Sequence, residues 1–194
     1  MKPASRLLIL AIAVSIAQIG FLLWSVAGRA AILRDGREVL LKVEPIDPRD
    51  LLRGDYVRLG YEISRLPVSI LAGLPADAAE VEAGPIFVRL RKADDGFWRA
   101  VGASVGKPLA VAPTPEEVDI RGFVEGRYPL KDLAFLPVDY GIERFYLPEG
   151  EGLAIERDMR VRNFGIKVAV AQDGGAQLKA LVDGDVTLFQ EPHY

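Results

Sequence analysis

From Leu7 to Ala27 the chain carries no charged side chain (LLILAIAVSIAQIGFLLWSVA). A helix of about 20 residues, at about 1.5 Å per residue, reaches roughly 30 Å, the thickness of a bilayer's hydrocarbon core. Gln18 is the only strongly polar member, and Ser15 and Ser25 can bond back to their own helix. Trp24, close to the C-terminal end, suits the lipid–water interface. No later stretch approaches this length without a charge, so the sequence predicts one span, embedded in lipid through residues 7–27.

A cleaved signal peptide is the competing expectation. Ser25-Val26-Ala27 has the small-x-small form of a cleavage site. The apolar run, however, exceeds the core of roughly 7–15 residues typical of such peptides. A retained anchor over residues 1–28 is therefore expected, followed by a domain over residues 29–194. Lys2 and Arg6 precede the span, while Arg29, Arg34, Arg37 and Lys42 follow it. Long domains translocate largely regardless of charge. That argument favours an N-terminus in the cytoplasm and a domain outside.

All 27 acidic residues lie beyond the span, whereas two of the 24 basic ones precede it. An acidic domain without a basic run argues against nucleic acid as a partner, and against electrostatic docking on anionic headgroups. The chain has no cysteine, which excludes disulfides, thiolate metal sites and a cysteine nucleophile.

Thirteen prolines and 19 glycines leave little room for long helices after the anchor. Between these breaks the apolar residues alternate with period two. Val39, Leu41 and Val43 predict one strand; Val57, Leu59, Tyr61 and Ile63 predict a second. Ile86–Arg91 and Phe97-Trp98 flank Asp94-Asp95-Gly96, and Lys167–Ala171 and Gln177–Val182 flank Asp173-Gly174-Gly175, so two hairpins are expected. Strands are also predicted at Val118–Val124 and Arg144–Leu147. Short helices are predicted at Pro75–Val81 and Gly152–Arg160, and an exposed loop at Lys107–Glu117. The fold class this implies is mainly β, or β-dominated α+β: one transmembrane helix, then a compact domain rich in antiparallel strands.

The densest group of polar and special residues is Glu44 to Ser64 (EPIDPRDLLRGDYVRLGYEIS). Pro45 and Pro48 fix φ, Asp47 favours a turn, and Asp50 can cap a helical turn over Leu51–Arg53 that ends at Gly54. Gly54-Asp55-Tyr56-Val57-Arg58-Leu59-Gly60-Tyr61 satisfies G-D-Y-x-x-L-x-Y at each fixed position. In this the chain resembles the GDYXXLXY family of bacterial membrane-anchored proteins. Asp47-Pro48-Arg49-Asp50 is similar to that family's pattern too, as are Tyr140-Gly141-Ile142-Glu143-Arg144-Phe145-Tyr146 and Pro148-Glu149-Gly150.

The resemblance implies an accessory protein beside polytopic membrane proteins, hence an integral membrane partner, at the bacterial inner membrane with a periplasmic domain. It brings no catalytic role, cofactor or metal. Gly54, Asp55, Tyr56, Leu59 and Tyr61 carry over as motif residues. Turn chemistry accounts for them: glycine for the conformation, aspartate for the turn's backbone, Leu59 and Tyr61 for packing. The binding alternative adds Arg58, Asp47, Asp50, Glu143 and Glu149, since Tyr and Arg are frequent interface anchors.

Enzyme-like signals are weaker. Gly102-Ala103-Ser104-Val105-Gly106 fits G-x-S-x-G, with His193 downstream, but Lys107-Pro108 denies the serine the helix a nucleophile elbow needs. Leu51-x-x-Gly54-Asp55-x-Val57 is similar to a turn of the signal-peptidase and self-cleaving repressor superfamily, yet no serine lies between Arg29 and Tyr61. Asp47, Asp50 and Asp55, and Glu143, Glu149, Glu151 and Glu156, lack the alternating spacing of a calcium loop and are expected to be solvated or salt-bridged. Three functions stay open: an interaction module, an envelope hydrolase using carboxylates around the motif, and a small-ligand sensor.

Overall fold

The computed structural model of the protein describes residues 3–44, 56–75, 78–131, 133–146 and 164–190. The charge-free run forms the middle of one helix, α1 (Pro3–Asp35). Pro3 sits in the first turn, where its missing N–H breaks no bond, and no later proline interrupts the helix. Gly36 ends it, donating its N–H to the Ile32 carbonyl at 2.8 Å. At 33 residues α1 is about 50 Å long, well over the bilayer core of about 30 Å. Its side chains from Ile9 to Arg29 are exposed, Trp24 at 74%. Among the described residues it is the one helix long and apolar enough to cross a membrane.

The chain then becomes strand-rich. Its first strands are β1 (Arg37–Glu44), β2 (Tyr56–Arg58), β3 (Gly60–Tyr61), β4 (Arg65–Pro67) and β5 (Leu71–Ala72). Next come β6 (Glu80–Val81), β7 (Gly84–Lys92), β8 (Trp98–Val105), β9 (Glu117–Val124) and β10 (Tyr128–Pro129). The last are β11 (Phe135–Pro137), β12 (Arg144–Tyr146), β13 (Phe164–Val170), β14 (Ala176–Asp183) and β15 (Val186–Gln190). Two sheets dominate, in the orders β15-β14-β13-β1-β3 and β5-β8-β7-β9. Every pairing is antiparallel except β5 with β8. Three ribbons, β10-β6, β11-β4 and β12-β2, complete the domain.

The period-two patterns place the core. Val39, Leu41 and Val43 of β1 and Ile166, Val168 and Val170 of β13 face Ile86, Val88 and Leu90 of β7 and Ile120 of β9 in one continuous apolar cluster. Both expected hairpins form. Phe97 N–H bonds Asp95 Oδ1 at 3.2 Å in the first, where Gly96 takes a φ of +86°. Gly175 N–H bonds Asp173 Oδ1 at 2.9 Å in the second. These are the local carboxylate-to-backbone bonds that make aspartate a turn residue.

Two expectations need correction. The short helix expected over Pro75–Val81 is not seen among its described residues: Glu80–Val81 is β6, paired with Tyr128–Pro129, and Val81 is fully buried. Small acidic residues tolerate a helix, but a distant strand partner and a core site decide the outcome. The strand expected over Val57–Ile63 is divided. β2 pairs with β12, β3 pairs with β1, and Glu62–Ser64 forms a 3-10 turn. The inward alternation survives the break, with Leu59, Tyr61 and Ile63 all buried. The turn expected at Leu51–Arg53 and the helix at Gly152–Arg160 lie outside the described residues.

The helix meets the domain without a linker. Leu33 is buried, Ala30 to Ile32 are half-buried, and α1 packs on β13 and β14. β13 is covered on both faces, with Ala169 fully buried beneath the junction. A Cβ on Gly36 would collide with the Ile32 carbonyl oxygen and lie 3.2 Å from Ala169 Cβ, so only glycine fits between helix end and sheet. Arg37, the next residue, crosses to the other sheet. Its guanidinium lies 5.1 Å from the Trp98 ring centroid and donates to the carbonyls of Glu117 (2.9 Å) and Pro115. Helix, first sheet and second sheet are thus fastened within five residues of one another along the chain, from Leu33 to Arg37.

Candidate functional site

The described part of the G-D-Y-x-x-L-x-Y segment closes onto the Tyr140–Tyr146 segment along a continuous seam. β2 pairs with β12 in the register Tyr56↔Tyr146, Val57↔Phe145 and Arg58↔Arg144. The ladder extends by Leu59 N–H to the Glu143 carbonyl at 2.8 Å, and by Val138 N–H to the Ser64 carbonyl at 3.0 Å. β4 then pairs with β11, Leu66 opposite Leu136, and both leucines are fully buried. Phe145, also buried, adds an aromatic side chain to the same core.

Two tyrosines lock this seam from opposite sides. Tyr61 donates its hydroxyl to the Ile142 carbonyl at 2.6 Å. Tyr140 donates its own to the Ile63 carbonyl at 2.8 Å. Both rings are buried, so each hydroxyl needs such a partner. Burial pushes both phenols well above their ordinary pKa, helped by the charge of Glu143. They are structural donors, held protonated.

Glu143 departs from the expectation of a solvated or salt-bridged carboxylate. Its Oε1 accepts the Tyr140 N–H at 2.6 Å, and its carboxyl shares a hydrogen bond with Asp139. Burial raises its pKa to about 7, Asp139 adds to the rise by charge and hydrogen bond, and the Tyr140 amide opposes it. Asp139 also accepts Gly141 N–H at 2.8 Å, and its backbone exchanges bonds with Phe123 on β9 at 2.7 and 3.0 Å. The seam is thereby tied to the second sheet.

Of the candidate binding residues, the structure brings together Leu59, Tyr61 and Glu143, and runs the backbone of Tyr56 and Arg58 beside them. Gly54, Asp55, Asp47, Asp50 and Glu149 lie outside the described residues. Sequence reasoning missed Asp139 and the locking role of Tyr140. A tyrosine beside a turn in the second segment was the available signal, since a buried phenol must find an acceptor. Ser104 lies buried within β8, and the chain leaves that strand for the exposed loop after Gly106, without the helix of a nucleophile elbow. His193 lies outside the described residues. Among the described residues no group of three or more His, Cys, Asp or Glu is placed to hold a metal ion.

A second polar group braces the far edge of the β7–β9 pair. Arg89, buried, forms a two-pronged pair with Asp119 (2.8 and 2.8 Å) and donates to the Val111 carbonyl at 2.6 Å. Glu117, also buried, pairs with Arg91 and accepts Thr114 N–H at 3.1 Å. The Arg91 guanidinium, chiefly, holds its pKa down to about 2. The ion pairs join β7 to β9, and the bonds to the Val111 carbonyl and Thr114 N–H hold the loop after β8 against the sheet.

No curated protein and no solved structure matches the chain. A family model described as "GDYXXLXY protein" matches residues 18–181, from within α1 to within β14. The match takes in the second half of α1, the strands from β1 to β13, most of β14, and the seam, so the residues that lock Leu59 and Tyr61 onto the second segment do so in a chain that belongs to the GDYXXLXY family.

Proposed function

We propose that the protein is a membrane-tethered interaction module of the bacterial inner membrane, with its domain on the periplasmic side, docking on an integral membrane partner. The observation that carries this reading is the junction. The helix enters the domain through Leu33, Gly36 and Arg37 with no flexible segment, so the domain is held close to the bilayer at a fixed angle. A module that must find soluble ligands gains nothing from such a mount. One that must present a face to a neighbour in the membrane gains preorganisation.

The orientation draws support from Lys2 and Arg6, set close before the charge-free run, and from the rule that long domains translocate largely regardless of their charge. Among the described residues the hydrolase reading draws on Glu143. Its Oε1 is already taken by a backbone amide and both seam phenols by carbonyls, an arrangement suited to holding a surface rather than to turnover. Affinity purification in mild detergent, at native expression, tests the proposal. Repeated co-recovery of one integral membrane protein is expected; repeated recovery of the chain alone overturns it.

A further inference from the structure

We propose that the loop Pro108–Pro115 is a second membrane contact, resting its apolar side chains on the phospholipid surface beside the helix. This rests on the reading of α1 as a bilayer span. The loop (PLAVAPTP) has no charged side chain, and Thr114 is its only polar one. Single exposed apolar residues are ordinary on a soluble domain. An uninterrupted charge-free loop on an otherwise acidic domain is not, and here Val111 is 71% exposed while Ala110 and Ala112 flank it in the open.

Its placement supplies the occupant. Arg37, two residues beyond α1, holds the Pro115 and Glu117 carbonyls, so the loop's end is fixed beside the C-terminal end of the helix. From Ala27 to Asp35 the helix rises about 12 Å, and four residues from Pro115 to Val111 can span up to about 14 Å. At full extension the loop is therefore long enough to reach back to the headgroup layer. Arg89 fixes the loop again at the Val111 carbonyl, and three prolines restrict it further, so little ordering is left to oppose contact. Because the contact is apolar, it needs no anionic lipid.

The chain's lack of cysteine makes the test direct. Val111→Cys, Val186→Cys and Ile16→Cys variants of the full chain are labelled with a polarity-sensitive fluorophore in phosphatidylcholine nanodiscs, with and without doxyl-labelled lipid. Val186 is exposed beside the turn after β14, at the end of β14 whose partner on β13 is Phe164, far from the helix junction. Residue 111 is expected to show blue-shifted emission and loss of signal with doxyl lipid, residue 16 the same, and residue 186 neither. Quenching at 16 with 111 behaving like 186 overturns the loop contact alone, and would leave the loop to a protein partner. No quenching at 16 overturns the span and the loop contact together. Quenching at 111 only when phosphatidylglycerol is added overturns the apolar mechanism.

Discussion

Tyr61 and Tyr140 each place one buried hydroxyl on a carbonyl of the opposite segment. Removing either oxygen deletes a buried hydrogen bond, so Tyr61→Phe and Tyr140→Phe are each expected to cost about 1–2 kcal/mol. Thermal unfolding in detergent would read this, and the double variant should depart from additivity because both bonds close one seam. Glu143 adds a pH dependence of known sign. Its folded pKa is raised to about 7, so between about 4.5 and 7 the folded chain keeps a proton that the unfolded chain releases. Stability from this group is full below about 4.5 and is lost progressively as pH rises from there through about 7. Glu143→Gln keeps an acceptor for Tyr140 N–H and is expected to be more stable than the parent by about 2 kcal/mol at pH 8, allowing for partial exposure, with the gap closing toward about pH 4.5. Glu117 works in the opposite direction: its lowered pKa stabilises the fold above about 4.5 and that contribution is lost toward about 2. An unfolding series across pH, parent against variant, measures both limbs.

Elements were legible from sequence in proportion to how local their causes are. The long apolar helix, the strands around Val39 and Val118, and both Asp-Gly hairpins follow from charge, period and turn chemistry, all read from contiguous stretches of chain. The seam was not legible. Tyr61 and Ile142 are 81 positions apart, and nothing near either one announces the other. The same cause misled the expectation at Pro75–Val81, where the β10 partner lies beyond the reach of any local pattern. Arg37 is another instance: its sequence neighbours give no hint of Trp98 or Pro115. At this scale the junction gives the sharpest expectation. Gly36→Val must force the Ile32 carbonyl and Ala169 apart, at a cost on the order of 1–3 kcal/mol, and hydrogen exchange should accelerate first in residues 30–38.

For the whole molecule, the unbroken passage from α1 into β1 makes the helix a shaft and the domain its pointer. Each residue added to the exposed turns before Ala30 rotates that pointer by about 100° relative to the buried part of the shaft, while lifting it only about 1.5 Å. Two alanines inserted after Gly28 would thus swing the domain to roughly the opposite side, and four would bring it back to within about 40°. If the domain serves a neighbour in the membrane, co-recovery of that neighbour should fall with two and return in part with four, read by quantitative pull-down. A loosely leashed domain would ignore the count. The angular phase between what the helix shows to lipid and what the domain shows to its surroundings is therefore a property written into the chain at the glycine where the helix stops.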